Sequence, residues 1–274
     1  MEHKSDHDPG ELTAAGQAYL LTARSMLTSG QPITVSALAA RMQVSKQAAS
    51  EMVARFVRDD LLAPGNAHEL ALTSSGRAAA DAIFRRHALM EWLLTKVMGL
   101  GWAESDEEAM RLQGAVSPRV ESAIRGLVGD PETCPHGNPI DLEVALRRPP
   151  GVPLADVEAG DEITIYRITE EAEEDADLLS YLEGQQLLPG TLARIVEVSK
   201  SRDSIVIDGP TGRSSMGLRP AALIRVLPGR ADAALFHRMP ERRPSECGVR
   251  YERTPDVLSA GAGKARPPRA MVEP

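Results

Sequence analysis

Aromatic side chains are scarce in this 274-residue sequence: two Trp, four Tyr and three Phe make up 3% of it. The core must therefore be built from Leu, Ile, Val, Met and Ala. Cysteine is scarcer still, with only Cys134 and Cys247. Two distant thiols exclude a disulfide framework and a four-thiolate zinc site, and they suit a reducing compartment. No run approaches the ~18 apolar residues of a membrane span. The polar start MEHKSDHDPG does not resemble a secretory leader, so a cytoplasmic protein is expected. Excess positive charge is also lacking. Lys and Arg number 31 against 39 Asp and Glu, a net charge of −8. That balance disfavours non-specific nucleic-acid binding, which works by neutralising phosphates. It does not exclude a local basic patch.

What is present is the composition of a globular protein, 42% hydrophobic and 26% charged, long enough for two or three domains. Residues 1–10 read as a disordered lead. Residues 11–74 predict three helices and a short hairpin. The first helix spans Ala14–Thr28, closed by Ser29-Gly30 and Pro32. Ser36 is placed to cap a second, short helix with Leu38, Ala39 and Met42 on its apolar side. Gln43-Val44 is a tight connection, and Ser45 caps a third helix. LLAPGNAHELALT then alternates around a Pro-Gly-Asn turn, as two short strands do.

Residues 75–148 predict more helices, with Leu89, Trp92, Leu93, Val97 and Met98 forming an apolar face for a core or a second subunit. From Pro149 the period changes to short alternating runs broken by Gly, Pro and Asp. Residues 149–229 therefore read as a small β-rich domain containing one short helix. Residues 230–274, rich in Pro and Arg, read as a disordered tail.

Two short helices joined by a tight turn and followed by a hairpin make a winged helix-turn-helix. Its second helix enters the major groove with its N-terminal side chains toward base edges. Those would be Ser45, Lys46, Gln47 and Ser50, with Ala48 and Ala49 near thymine methyls and Arg55 and Arg58 near the backbone or scaffold. Glu51 would repel phosphate unless it accepts from a cytosine amino group. Within 11–74, five basic residues (Arg24, Arg41, Lys46, Arg55, Arg58) balance five acidic ones (Glu11, Glu51, Asp59, Asp60, Glu69). A neutral module of this kind needs a dimer, or the Arg-rich tail, for tight binding.

The stretch ETCPHGNPID puts Cys134 and His136 two residues apart between prolines. Alone it suits a metal site, a catalytic pair or a turn. Two ligands cannot complete a tetrahedral site. Asn138 suits a turn by bonding its own backbone.

The order of segments VSALAARMQVSKQAASEMVARFVRDDLL, LTSSGRAAADAIFRRHALMEWLL and CPHGNPI, then a β-rich domain, resembles the diphtheria toxin repressor (DtxR) family of metal-dependent transcription regulators. The resemblance covers about residues 14–228. It implies an α+β protein: a winged helix-turn-helix, a helical dimerisation and metal-binding domain, and a C-terminal SH3-like domain of the FeoA type. It implies that CPHGNPI is a structural turn closing the dimerisation region. It implies a homodimer on a double-stranded DNA operator, with no membrane partner.

The family's primary metal site falls here on Ala18, Met110, Gln113 and Gly114. Two of these have no ligand atom, and the rest are a poor set for iron(II) or manganese(II). The second family site is better kept. The resemblance assigns it to His87 and Glu91, one turn apart on a helix, and Asp106. Glu107 and Glu108 stand beside Asp106, and Glu173, Glu174 or Asp177 of the acidic run EEAEEDAD would complete the set. The bland counterparts are a core histidine at His87, a Glu91 paired with Arg86 or Lys96, and a solvated acidic loop.

The expected cofactor is manganese(II) or iron(II), or no metal at all. Three functions follow: a metal-responsive operator-binding repressor, a metal-independent regulator on the same scaffold, or a protein-binding module acting through the SH3-like domain or the Pro-rich tail. No nucleophile–base pair, phosphate loop or catalytic zinc signature points to an enzyme.

Overall fold

The computed structural model describes residues 12–240. The expected lead at 1–10 and most of the expected tail, 241–274, lie outside the described residues. The chain begins with α1 (Ala14–Thr28), α2 (Val35–Arg41) and α3 (Lys46–Arg58), followed by the antiparallel hairpin β1 (Leu62–Pro64) and β2 (Leu70–Leu72). Each helix has a side-chain cap, since free N–H groups at a helix start need an acceptor. Thr13 accepts from Gly16, Thr34 from Ala37 and Ser45 from Ala48. The second cap corrects the sequence expectation: Thr34, not Ser36, takes it. Tyr19, Leu20, Leu38, Ala49, Phe56 and Leu62 are buried together. Ala49 therefore belongs to the core and cannot reach a thymine methyl.

Four helices follow: α4 (Ser74–Trp92), running into a π-helical turn over Leu93–Met98, α5 (Trp102–Leu112), α6 (Pro118–Val128) and the short α7 (Leu142–Arg147). Gly76 lets α4 approach the hairpin base, because a Cβ there would lie 1.9 Å from the Leu61 carbonyl oxygen. The expected apolar face turns mostly inward. Leu89, Trp92, Ala109 and Ile124 form a core, with Leu93 and Val97 packed against it. Met98 stays exposed, as do Val120 and Leu127 on α6.

Between α6 and α7, the CPHGNPI segment closes on itself. Cys134 N–H donates to Asn138 O at 2.9 Å, and Gly137 N–H to Cys134 O at 3.0 Å. It also docks on the β region, because Ile168 N–H donates to His136 O at 2.8 Å.

The β region is a six-stranded antiparallel sheet in the order β3-β8-β4-β5-β6-β7. Its strands are β3 (Val152–Pro153), β4 (Glu162–Ile168), β5 (Leu192–Ser199), β6 (Ser204–Gly209), β7 (Gly212–Met216) and β8 (Ile224–Pro228). Ile165, Ile195, Ile207 and Val226 fill its interior with Leu182. Between β4 and β5 lie α8 (Glu170–Glu173) and α9 (Ala176–Gly184), and α10 (Leu218–Ala221) precedes β8. The acidic run is thus not a solvated loop. It forms one helical turn that buries Glu170 and Glu173, followed by an Asp175 cap on Leu178 N–H.

The start of the expected tail is ordered as well. Residues 233–235 form a 3₁₀ turn, and His237 packs edge-on against Trp92, its Nε2 2.7 Å from Val128 O. Among the described residues, no helix is long and apolar enough to cross a membrane.

Candidate metal centre and nucleic-acid interface

His87 and Glu91 lie one turn apart on α4, which places both on the same buried face. His87 Nε2 is 3.5 Å from Glu91 Oε2 and 3.3 Å from Asp106 Oδ1 on α5. Burial alone would lower the His87 pKa. The Glu91 carboxylate, the hydrogen bond to Asp106 and the charge of Glu173 outweigh it and raise the value to about 9. His87 thus stacks on the Phe84 ring and also faces two carboxylates. Arg86 pairs with Glu121 at 3.4 Å, so Glu91 is left to the two imidazoles rather than to Arg86.

Glu91 is completely buried, and its other oxygen faces a second histidine. His136 Nδ1 lies 2.9 Å from Glu91 Oε1 and 3.1 Å from Glu173 Oε1. Burial pushes the Glu91 carboxyl up, against the pull of His136 and His87. Burial would lower His136, but Glu91 and Glu173 hold it well above the usual imidazole range. Cys134 Sγ is 3.7 Å from Glu173 Oε1. Asn138 does not bond its own backbone, as a simple turn would have it. Its Nδ2 donates to Ile168 O at 2.7 Å and Glu173 Oε1 at 2.6 Å.

Two groups of converging metal-type donors result among the described residues: His87, Glu91 and Asp106, and Glu91, Cys134 and His136. From sequence, Cys134 and His136 suit a metal site as well as the structural turn that the resemblance implies. Their spacing is visible in the sequence, but their approach to Glu91 is not. Glu174 and Asp177 do not join either group. The turn of α8 that points Glu173 inward points Glu174 out to an ion pair with Arg41, and Asp177 is exposed in the first turn of α9. Glu107 and Glu108 pair with Arg111 on the outer side of α5.

The positions to which the resemblance assigns the primary site offer no set of hard donors for a divalent ion. Ala18 and Met110 line a cavity of about 400 Å³, together with Arg41, Met42, Gln43, His87 and Asp106. Gln113 is buried, with its amide 3.7 Å from the Met110 sulfur. A Cβ on Gly114 would stand 3.2 Å from the Gln17 amide, so Gln17 fills the space beside it. The His87 set fits better: one imidazole and two carboxylates are donors that manganese(II) and iron(II) accept.

The α2–α3 unit exposes Lys46, Gln47, Ala48 and Ser50 in the first turns of α3, with Glu51 and Arg55 further on. The Ser45 hydroxyl is engaged at its own helix cap. Gln47 Nε2 donates to Glu51 Oε1 at 3.1 Å, and Arg55 lies 3.7 Å from Asp59. Phe56 and Val53 anchor the helix from behind, leaving this face to solvent.

Residues 73–142 match the profile of the iron dependent repressor, metal binding and dimerisation domain. The iron-dependent repressor IdeR of Mycobacterium tuberculosis (strain ATCC 25618 / H37Rv) is 32% identical over 209 residues, which cover 73% of this chain and 91% of that protein. The diphtheria toxin repressor of Corynebacterium diphtheriae is 32% identical over 130 residues, 47% of this chain and 58% of that one. A solved manganese-dependent transcriptional repressor in complex with manganese superposes with a TM-score of 0.66 and 30% identity, over 78% of this chain and 99% of its own.

Proposed function

We propose a function from one premise: the chain belongs to the diphtheria toxin repressor family, whose members are metal-dependent transcription repressors and not enzymes. In this reading the protein is a cytoplasmic homodimer that binds a double-stranded operator and responds to manganese(II) or iron(II). Residues 11–74 are the DNA-binding domain, 75–148 the dimerisation and metal-binding domain, and 149–229 the SH3-like domain. Lys46, Gln47 and Ser50 face the major groove, Ser45 holds the start of the reading helix, and Arg55 lies toward the backbone. The exposed Val120 and Leu127, two turns apart on α6, offer the apolar face for a two-fold partner.

The observation that carries the reading is the convergence of His87, Glu91 and Asp106 beside the cavity shared with Arg41, Met42 and Gln43. A metal held by those three would draw α4 and α5 together. Its effect would reach the winged helix through the cavity wall, favouring one arrangement of the reading helices. The test is operator binding by the metal-free protein, repeated with manganese(II), iron(II) and zinc(II), for the parent and for His87→Ala. The parent should tighten on its operator with metal and the variant should not. Equal binding with and without metal in the parent would leave a metal-independent regulator instead.

A further inference from the structure

Three donors around the CPHGNPI turn remain unused by that reading, and Glu91 turns its second oxygen to them. Cys134 Sγ and His136 Nδ1 come from the turn, Glu91 Oε1 from α4 and Glu173 Oε1 from α8. The gaps are 2.9 Å from His136 to Glu91, 3.1 Å from His136 to Glu173, 3.7 Å from Cys134 to Glu173 and 3.9 Å from Cys134 to His136. A tetrahedral ion bonded at about 2.0–2.1 Å to nitrogen and oxygen and about 2.3 Å to sulfur holds its donors roughly 3.3–3.6 Å apart. The observed gaps straddle that range, and the donor atoms of Cys134, His136 and Glu91 all lie within 4.8 Å of one another, so small rotations of buried side chains would close these three on one ion, with Glu173 reaching it from the side of His136 and Cys134. We propose that Cys134, His136, Glu91 and Glu173 form a second, buried divalent-metal site, distinct from the His87–Asp106 set and sharing Glu91 with it.

Two observations separate this from a hydrogen-bonded turn. Neither oxygen of Glu91 has a hydrogen-bond partner, although the residue is fully buried. The imidazoles of His136 and His87 face them at 2.9 and 3.5 Å as ion-pair partners. A fully buried carboxylate held by ion pairs alone is costly, and a cation among these donors lowers that cost. Secondly, Asn138 is turned away from its own backbone and donates to Glu173, aiming that carboxylate at Cys134 and His136. Metal ligands are commonly oriented in this way by a neighbouring donor. Access exists: a cleft of about 210 Å³ reaches Cys134 past Trp102 and Pro135.

A thiolate with an imidazole and two carboxylates suits zinc(II) or iron(II) better than manganese(II). Binding breaks the Cys134 S–H bond and the His136 Nδ1–H bond, forms the metal–sulfur and metal–nitrogen bonds and releases both protons to solvent. Because Glu91 offers one oxygen to each set, filling this site would fix the carboxylate that also faces His87.

Cobalt(II) is the probe, added to the metal-free full chain carrying Cys247→Ser, so that Cys134 is the one thiol. The expected result is a cobalt–thiolate charge-transfer band that is lost in Cys134→Ser, weakened in His136→Gln and kept in His87→Ala. X-ray absorption of the zinc-loaded Cys247→Ser protein provides a second reading that needs no change at the site. It should show one sulfur at about 2.3 Å. A band absent from the Cys247→Ser protein, a band surviving Cys134→Ser, or zinc with no sulfur neighbour would each overturn the proposal. Loss of manganese binding in His87→Ala with the cobalt band intact would separate the two sites.

Discussion

Arg24 Nη1 donates to Glu170 Oε1 at 2.9 Å, joining the first helix to the helical turn that follows β4. The same guanidinium donates to Asp81 Oδ1 at 2.9 Å and to Pro139 O at 2.6 Å, and it lies over the Phe84 ring. One buried side chain thus ties the first helix, α4, the CPHGNPI turn and the β region. Arg24→Ala strands the buried Glu170 carboxylate, at a cost of roughly 3–5 kcal/mol. Urea unfolding should show that loss. A change below about 1 kcal/mol would mean that the pair is not closed in solution.

Stability should depend on pH through His87. An unfolded imidazole titrates near 6.5, whereas folded His87 holds its proton to about 9. The folded metal-free protein therefore binds a proton that the unfolded chain gives up. This contribution is full below about pH 6.5 and is lost as pH rises toward 9. Manganese(II) requires the neutral imidazole, so its affinity should rise across the same window. Thermal melts with and without manganese should diverge as pH increases. His87→Gln should flatten both trends, and an unchanged slope in that variant would exclude His87 as their source.

Gly137 sits at φ +91, where a Cβ would stand 2.6 Å from Tyr166 O. Gly137→Ala combines backbone strain with a clash against β4, costing at least about 1–3 kcal/mol. Because His136 precedes it, the variant should also weaken metal retention more than an equally destabilising core change. Metal content after dialysis, compared with Leu20→Ala, measures the difference.

On DNA, Gln47→Ala should reduce discrimination between operators by about 1–3 kcal/mol if its amide reads a base. Lys46→Ala should weaken all sequences alike and lower the salt slope by about 1. Anisotropy titrations over a range of salt distinguish the two. If both variants bind as the parent does, α3 is not the reading helix.

The helices α1 to α3 are legible in the sequence because their signals are local. The Ser45 cap, apolar residues at helical spacing and a Pro-Gly-Asn turn act within a few residues, although the cap of α2 is Thr34 and not the expected Ser36. The first helix accordingly runs over Ala14–Thr28 as its pattern predicts. The pair His87 and Glu91 is legible for the same reason, since one helical turn sets their spacing. Burial is not local. Ala48 and Ala49 look alike in sequence, and only packing against Phe56 and Leu38 makes Ala49 core and leaves Ala48 exposed. The apolar face of α4 likewise could have served a partner, and it is the packing of α5 and α6 that turns Leu89 and Trp92 inward.

The acidic run shows the same divide most sharply. Charge and composition describe Glu170 to Asp177 as one solvated stretch. The tertiary fold sends Glu170 to Arg24, Glu173 to His136 and Glu174 to Arg41, because one helical turn distributes neighbouring side chains over different faces. Sequence by itself determined the helices, the hairpin, the change to β period and the His87–Glu91 pair. The meeting of Glu91, Cys134, His136 and Glu173 was decided only by tertiary structure, since α4, the turn and α8 are brought together by packing at long range, which no short-range pattern encodes.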